Sequence, residues 1–324
     1  MVWYVARRLC WAFLASLLIL TVTFGLLAAS PDPQASQAAL DAAQSGEDPE
    51  AAQQLLDERR GTDRSLTSQY VDYVVGMYTL DWGQSFLYEE DVTSVIGDAW
   101  VYSAMIVVPA TIVAVLVGFT IGIYSATHQY SRLDYVATAI AFFGISVPNF
   151  WLAIMLILFF VVVVPVPELV AYDTSNPLLS WANVANLILP IFVLTTAAVA
   201  SQMRYARAEA LEYVEAEFVK AARAKGVDEP TLTYRHVFRP SLVPLVTILI
   251  GDLVGIIFAT AYVVEYIFGI PGLGLLSYNA IVNGDTPLVL ATTLIPVFVA
   301  ILGNLAQDVA YTVLDPRIDY EGRR

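Results

Sequence analysis

Two carboxylates stand where carboxylates are costly. Asp252 falls inside an apolar stretch that runs from about Leu242 to Tyr266, beside Gly251 and Gly255. Glu265 closes the same stretch, just ahead of the turn Pro271-Gly272-Leu273-Gly274. An acid at such depth must face protein or water. It can line a polar pathway, share a contact between subunits, exchange a proton, or accept buried hydrogen bonds. Asp252 reads as lining a pathway or a subunit contact, with a buried hydrogen-bonded role as the alternative. Glu265 reads on pattern alone as an interfacial acid.

Other chemistry finds little to work with. His128 and His236 are the only histidines and are far apart in sequence, and no His/Cys cluster has metal-ligand spacing. Cys10 is the only cysteine, so an intrachain disulfide is excluded. No Gly-x-Ser-x-Gly nucleophile turn occurs. A phosphate-binding loop needs Gly-Lys followed by Ser or Thr, and neither Lys220 nor Lys225 stands in that setting. The chain is therefore expected to be no enzyme, to hold no cofactor, and to take any nucleotide energy from elsewhere.

Cations gather in one place. Seven of the sixteen Lys and Arg lie between Met203 and Pro240. Residues 209–225 predict an amphipathic helix, with Leu211, Val214, Phe218 and Ala221 at helical spacing. Gly226 is a stop signal and Pro230 opposes continuation. A second basic stretch, Tyr234 to Arg239, follows. Such an element suits docking into a groove of a partner, where Ala221, Ala222 and Ala224 allow close approach. It equally suits lying on anionic headgroups.

The elements that must position these residues are membrane spans. Of 324 residues, 58% are hydrophobic and 14% charged. Uncharged runs separate Arg8 from Asp32, Asp98 from Arg132, Asp134 from Glu168 and Asp285 from Asp308, each of 22 residues or more. About 20 residues of helix cross a bilayer, where the backbone must satisfy itself. An all-α polytopic membrane protein of about six spans is expected. They lie near residues 9–29, 100–127, 135–164 (broken near Pro148), 185–202, 242–266 and 288–309. With both termini cytoplasmic, thirteen of the sixteen cations fall inside, as the positive-inside rule asks. The other three, Arg59, Arg60 and Arg64, lie in a long outer segment.

The organisation follows: an N-terminal span over residues 1–30, an acidic extracellular segment over 31–98, a membrane domain over 99–312 containing loop 203–240, and a cytoplasmic tail over 313–324. The segment from Pro31 to Asp98 carries fourteen Asp or Glu against three Arg, within a net charge of −14. That charge argues against nucleic acid as partner, and it suits a salty habitat or simple solubility.

The stretch Phe218-Val-Lys-Ala-Ala-Arg-Ala-Lys-Gly-Val227, followed by Arg235-His-Val-Phe-Arg239, resembles the coupling loop of ABC-importer permeases. The wider pattern, Glu-Ala-Ala, three residues, Gly, stands here as Lys220-Ala221-Ala222 and then Gly226, with lysine in place of glutamate. More closely the chain resembles the first-permease branch of the dipeptide, oligopeptide and nickel family. Pro31-Asp32-Pro33, Leu80 to Ser85, Ser146 to Trp151 around Pro148, Val264 to Phe268 with Pro271 to Gly274, and Asn304, Asp308 and Leu314 to Ile318 match its motifs in order.

The resemblance implies a type I importer permease. It would pair with a second, similar permease subunit, with two cytoplasmic ATPase subunits that use ATP and Mg, and with an extracellular substrate-binding protein. Phe218, Lys220, Ala221, Ala222, Arg223, Ala224, Lys225 and Gly226 would couple to the ATPases. Pro148, Asp252, Glu265, Pro271, Gly272 and Gly274 would belong to the pathway and its outer gate. The cargo is expected to be peptide, with nickel or sugar as alternatives. A proton-coupled secondary transporter would also use buried acids, but does not explain the coupling-type loop. A scaffold or insertion factor without a pathway is the third reading.

Overall fold

The computed structural model describes residues 2–29, 33–46, 48–60, 64–166, 169–170, 172–178, 180–242, 245 and 261–314. Fourteen α-helices are named among them. They are α1 Val2–Ala29, α2 Pro33–Ser45, α3 Pro49–Arg60, α4 Leu66–Thr79, α5 Val92–Thr127, α6 Arg132–Ser146, α7 Asn149–Leu158, α8 Trp181–Asn186, α9 Ile188–Val214, α10 Glu217–Ala224, the single turn α11 Glu229–Thr231, α12 Ala261–Phe268, α13 Leu273–Val282 and α14 Thr286–Leu314. Wide π-helical turns continue α7 over Phe159–Val163 and α11 over Leu232–Phe238. Among the described residues the only β pairing is one bridge, Gln84 with Asp91.

Among the described residues four segments are long and apolar enough to cross a membrane: Ala6–Leu26, Val92–Thr127, Trp181–Val214 and Thr286–Leu305. The number becomes six if each of two bent pairs is one span. One pair, α6 with α7, turns through 95° at Val147–Pro148, where the break was expected. The cause is local: proline disfavours helix in the residue before it and lacks the N–H the helix needs. The other pair, α12 with α13, turns through 79° at the Gly269–Gly272 corner. Most of the expected span 242–266 lies outside the described residues. Large apolar side chains face outward on these helices: Trp11, Leu18 and Leu26 on α1, and Leu133, Ile140 and Phe143 on α6, are all exposed. A surface so composed suits hydrocarbon rather than water.

The chain divides into two compact units. One holds residues 98–276 and the chain from Leu302 onward. Its core joins Ile106, Val107 and Ala110 of α5, Ala153 of α7, Leu189, Val193 and Leu194 of α9, and Ala261, Val264 and Phe268 of α12. Glycines bring α9 unusually close to its neighbours. A Cβ on Gly122 of α5 would stand 2.5 Å from the Met203 carbonyl oxygen, and one on Gly144 of α6 would stand 2.9 Å from that of Thr196. Pro109 sits inside α5 and leaves the helix one hydrogen bond short there.

The other unit holds residues 2–97 and 277–301. In it α4 lies along α1, with Tyr78 Oη 2.6 Å from Ser16 Oγ and Tyr70 Oη 2.7 Å from Thr21 Oγ1. Leu20, Met77 and Leu294 form its buried centre. Asp285, fully buried, accepts from Ser85 Oγ at 2.5 Å and from the backbone N–H groups of Leu87 and Leu288. One carboxylate thus caps α14 and pins the loop of residues 80–91.

Candidate functional site

The basic loop is two helices, which corrects the single helix expected over 209–225. Helix α9 ends at Val214, Ala216 is extended (φ −63°, ψ 145°), and α10 begins at Glu217. The break resets the helical phase. Val219 therefore turns inward and is fully buried, whereas Phe218, expected on the apolar face, is 48% exposed. Val219 packs with Ile123 and Ala126 of α5, Ala210 of α9, and Leu232 and Val237 of the π-helical segment. Lys220, Ala221, Arg223, Ala224, Lys225 and Gly226 are exposed, and Ala222 is half-buried. The coupling candidates thus form one outward strip seated on a small apolar core.

Gly226 ends α10 by backbone geometry. Its φ is +82°, its N–H donates to the Arg223 carbonyl at 3.0 Å, and the Val227 N–H donates to Ala222 at 3.3 Å. This is a Schellman cap, which favours glycine because a Cβ is strained at that φ. Arg223 Nε meets Glu229 Oε1 at 3.0 Å across the turn. Asp228 caps α11, accepting from the Thr231 N–H at 3.2 Å. The Thr231 side chain and N–H hold its carboxyl below the usual range. Pro230, Thr231, Tyr234, Arg235 and Arg239 line a shallow open concavity beside it.

The second cluster surrounds Glu265. Its carboxylate is fully buried, accepting from Ser103 Oγ of α5 at 2.7 Å and from the Gly274 N–H at 2.6 Å. Ser103 Oγ in turn accepts from the Leu273 N–H at 2.9 Å. One acid thereby ties α5, α12 and the start of α13 together. Gly272 and Gly274 make this possible. A Cβ on Gly272 would stand 2.5 Å from Glu265 Oε2, and one on Gly274 would overlap the Tyr262 backbone. Pro271 precedes them in the corner.

Glu265, Gly272 and Gly274 are thus brought together, with Pro271 adjoining. Pro148 stands at the exposed bend between α6 and α7 and makes no part of this cluster. Asp252 lies outside the described residues. Ser103 was missed in the sequence; its only signal was a small hydroxyl in an apolar run. Also missed was an ion pair, Arg207 Nη2 to Asp134 Oδ2 at 3.1 Å, with Asp134 buried. His128 lies flat on Tyr124, with ring centroids 4.3 Å apart. No group of three metal-capable side chains occurs among the described residues.

Two helices run from the loop core to the apolar core that holds Val264 beside Glu265. Ser103 and Ile123 are on α5, and Leu189 and Ala210 are on α9, each pair spanning about 30 Å at roughly 1.5 Å per residue. That is about the thickness of a bilayer's hydrocarbon core. The loop core and the core beside Glu265 are therefore joined by two helices of about that length.

Residues 118–320 match the family described as binding-protein-dependent transport system inner membrane component. Over 98% of its length the chain is 31% identical to the oligopeptide transport system permease protein AppB of Bacillus subtilis, covering 99% of that protein. It is equally similar, 31% over 98% of its length and 99% of the relative, to the oligopeptide transport system permease protein OppB of Haemophilus influenzae. The dipeptide transport system permease protein DppB of Bacillus subtilis is 30% identical over 97% of each chain.

Proposed function

The chain belongs to the family of binding-protein-dependent transport system inner membrane components, and on that premise we propose that it is a permease subunit of an ABC importer, forming half of a pathway for peptides. The observation that carries the reading is the loop: a short helix seated through Val219 on the ends of α5 and α9, with a cationic, alanine-lined strip facing out. Its relatives' names, oligopeptide and dipeptide permeases, favour peptide over nickel or sugar as cargo. The loop faces the cytoplasm in this reading, because thirteen of the sixteen cations then lie inside. The partners are a second permease, two ATPase subunits that bind and hydrolyse ATP with Mg, and an external binding protein.

Nucleotide binding would favour one separation of the ATPases. The docked strip would pass that preference through α5 and α9 to the Glu265 gate, as a shift between two populated arrangements. The permease contributes no phosphate chemistry. It contributes a handle at one end, a gate at the other, and stiff helices between them.

Two tests bear on the handle. With Cys10 replaced by alanine, Ala221→Cys carrying a short photoactivatable crosslinker is expected to give an adduct with an ATPase subunit in the purified complex. Adducts confined to lipid, or to the second permease, would overturn the assignment. Arg223→Glu places two acids across the turn, since Glu229 is its present partner. It is expected to lower peptide uptake about tenfold, with assembly intact by size-exclusion chromatography. Unchanged uptake would count against the strip.

A further inference from the structure

We infer that the pair of the buried Asp134 and the half-buried Arg207 is a positioning pair that makes the broken span move with the coupling loop. The inference rests on the function proposed above and adds residues to it. Asp134 sits in the first turn of α6, and Arg207 lies seven residues before the end of α9. The Asp134 side chain is 4% exposed and that of Arg207 31%. Asp134 Oδ2 accepts from Arg207 Nη2 at 3.1 Å and from the backbone N–H of Tyr130 at 3.0 Å. Tyr130 holds a left-handed φ of +62° in the turn between α5 and α6, a conformation a tyrosine keeps only when its surroundings impose it. On the other side of Arg207, a Cβ on Gly122 of α5 would stand 3.0 Å from the Arg207 backbone nitrogen. Three elements therefore meet at one carboxylate: the α5–α6 turn, α6, and the last stretch of α9 before the loop.

Stability alone does not account for the charges. An apolar pair of the same volume would hold two helices as well, since desolvation offsets most of the attraction of a buried ion pair. What the charges add is register. Arg207 can meet Asp134 at one setting of α9 along α6, and a slide of one helical turn would leave both unpaired. A second contact fixes the same setting. Gly144 of α6 lies against the Thr196 carbonyl of α9, about 15 Å further along by helical rise. Held at two points, α6 follows α9.

Beyond α6 the path continues. The bend at Val147–Pro148 leads into α7, whose Ala153 is fully buried against α12 in the core that holds Val264 beside Glu265. The order is loop, α9, Asp134–Arg207, α6, bend, α7, α12. The pair is the point where this path leaves the helix that carries the loop.

The test uses the complete importer in liposomes with external binding protein, and reads labelled peptide taken up, from a mixture of di- to hexapeptides, per ATP hydrolysed. Asp134→Asn and Arg207→Gln are each expected to lower that ratio at least fivefold, with the double variant no worse than either single one. Asp134→Glu, which keeps the charge but not the distance, is expected to give an intermediate ratio. It serves as the deciding variant if the neutral ones fail to assemble. Uptake and hydrolysis falling by the same factor, a native ratio in either neutral variant, or, where neither neutral variant assembles, a native ratio in Asp134→Glu, would overturn the inference and leave a structural pair. The Gly226→Pro variant separates the two layers: if it uncouples while these do not, the inference fails and the proposed function stands.

Discussion

Gly226→Pro is expected to lower peptide uptake about 100-fold while the complex stays assembled and continues to hydrolyse ATP. The cause is confined to the end of α10. Proline fixes φ near −65°, against the +82° found here, and it removes the N–H that donates to Arg223. Proline cannot reach that φ, so the cap itself must rearrange. An eight-residue helix has almost no stability of its own in water. Without its cap, α10 leaves its seat around Val219, and the strip no longer presents one surface. Gly226→Ala tests the same point gently. It keeps the N–H and adds about 1 kcal/mol of strain, and is expected to transport at a reduced but measurable rate. Reconstituted uptake and phosphate release, measured in parallel, check both variants. Full uptake by the proline variant would show that this cap has no part in coupling.

Glu265→Ala is expected to open the pathway. The substitution removes the acceptor of the Gly274 N–H and the Ser103 hydroxyl, both buried, and leaves a void where the carboxylate stood. Each orphaned group costs about 1–3 kcal/mol. The corner between α12 and α13 then keeps the Leu273 N–H to Ser103 Oγ bond but loses the carboxylate that joins Ser103 of α5 to α12 and to Gly274. The expected result is an ATP-independent leak of labelled peptide from loaded liposomes, roughly tenfold above the native complex, with a lowered midpoint of thermal unfolding in detergent. Glu265→Gln keeps a carbonyl oxygen for the Gly274 N–H, while its amide N–H donates to Ser103 Oγ and so reverses that bond, and it is expected to stay closer to native than Glu265→Ala in both measurements. A tight vesicle with Glu265→Ala would remove Glu265 from the gate.

Much of this arrangement is legible in the residues, and for identifiable reasons. Spans declare themselves through uncharged runs, because hydrocarbon tolerates so little else. The bend at Pro148 is legible because proline acts on its immediate neighbours. Gly226 is legible for the same reason. Each is a local effect, read within a few positions. The break at Glu215–Ala216 is not legible: neither residue is a strong breaker, and the break is held by where Val219 finds a pocket among α5, α9 and the π-helical turn. A one-position change of phase decides which of Phe218 and Val219 faces out, and sequence spacing does not fix that phase.

The pairings are harder still. Ser103 and Glu265 are separated by 162 positions, and Asp134 and Arg207 by 73. In the sequence Arg207 counts only as one more inside cation, and Asp134 only as the end of an uncharged run. Their meeting depends on how closely α6 and α9 approach. That in turn depends on Gly144, which reads as an ordinary helix glycine until Thr196 is seen beside it.

Pro109 gives α5 unequal arms. It lies six residues from Ser103, the partner of Glu265, and fourteen from Ile123, which packs on Val219, about 9 Å and 21 Å of helix. The weak point of α5 thus lies in its shorter arm, and the longer arm next to the loop runs as one uninterrupted hydrogen-bonded rod. Under the proposed function, any yielding of α5 is expected close to Ser103 and Glu265 rather than beside the loop.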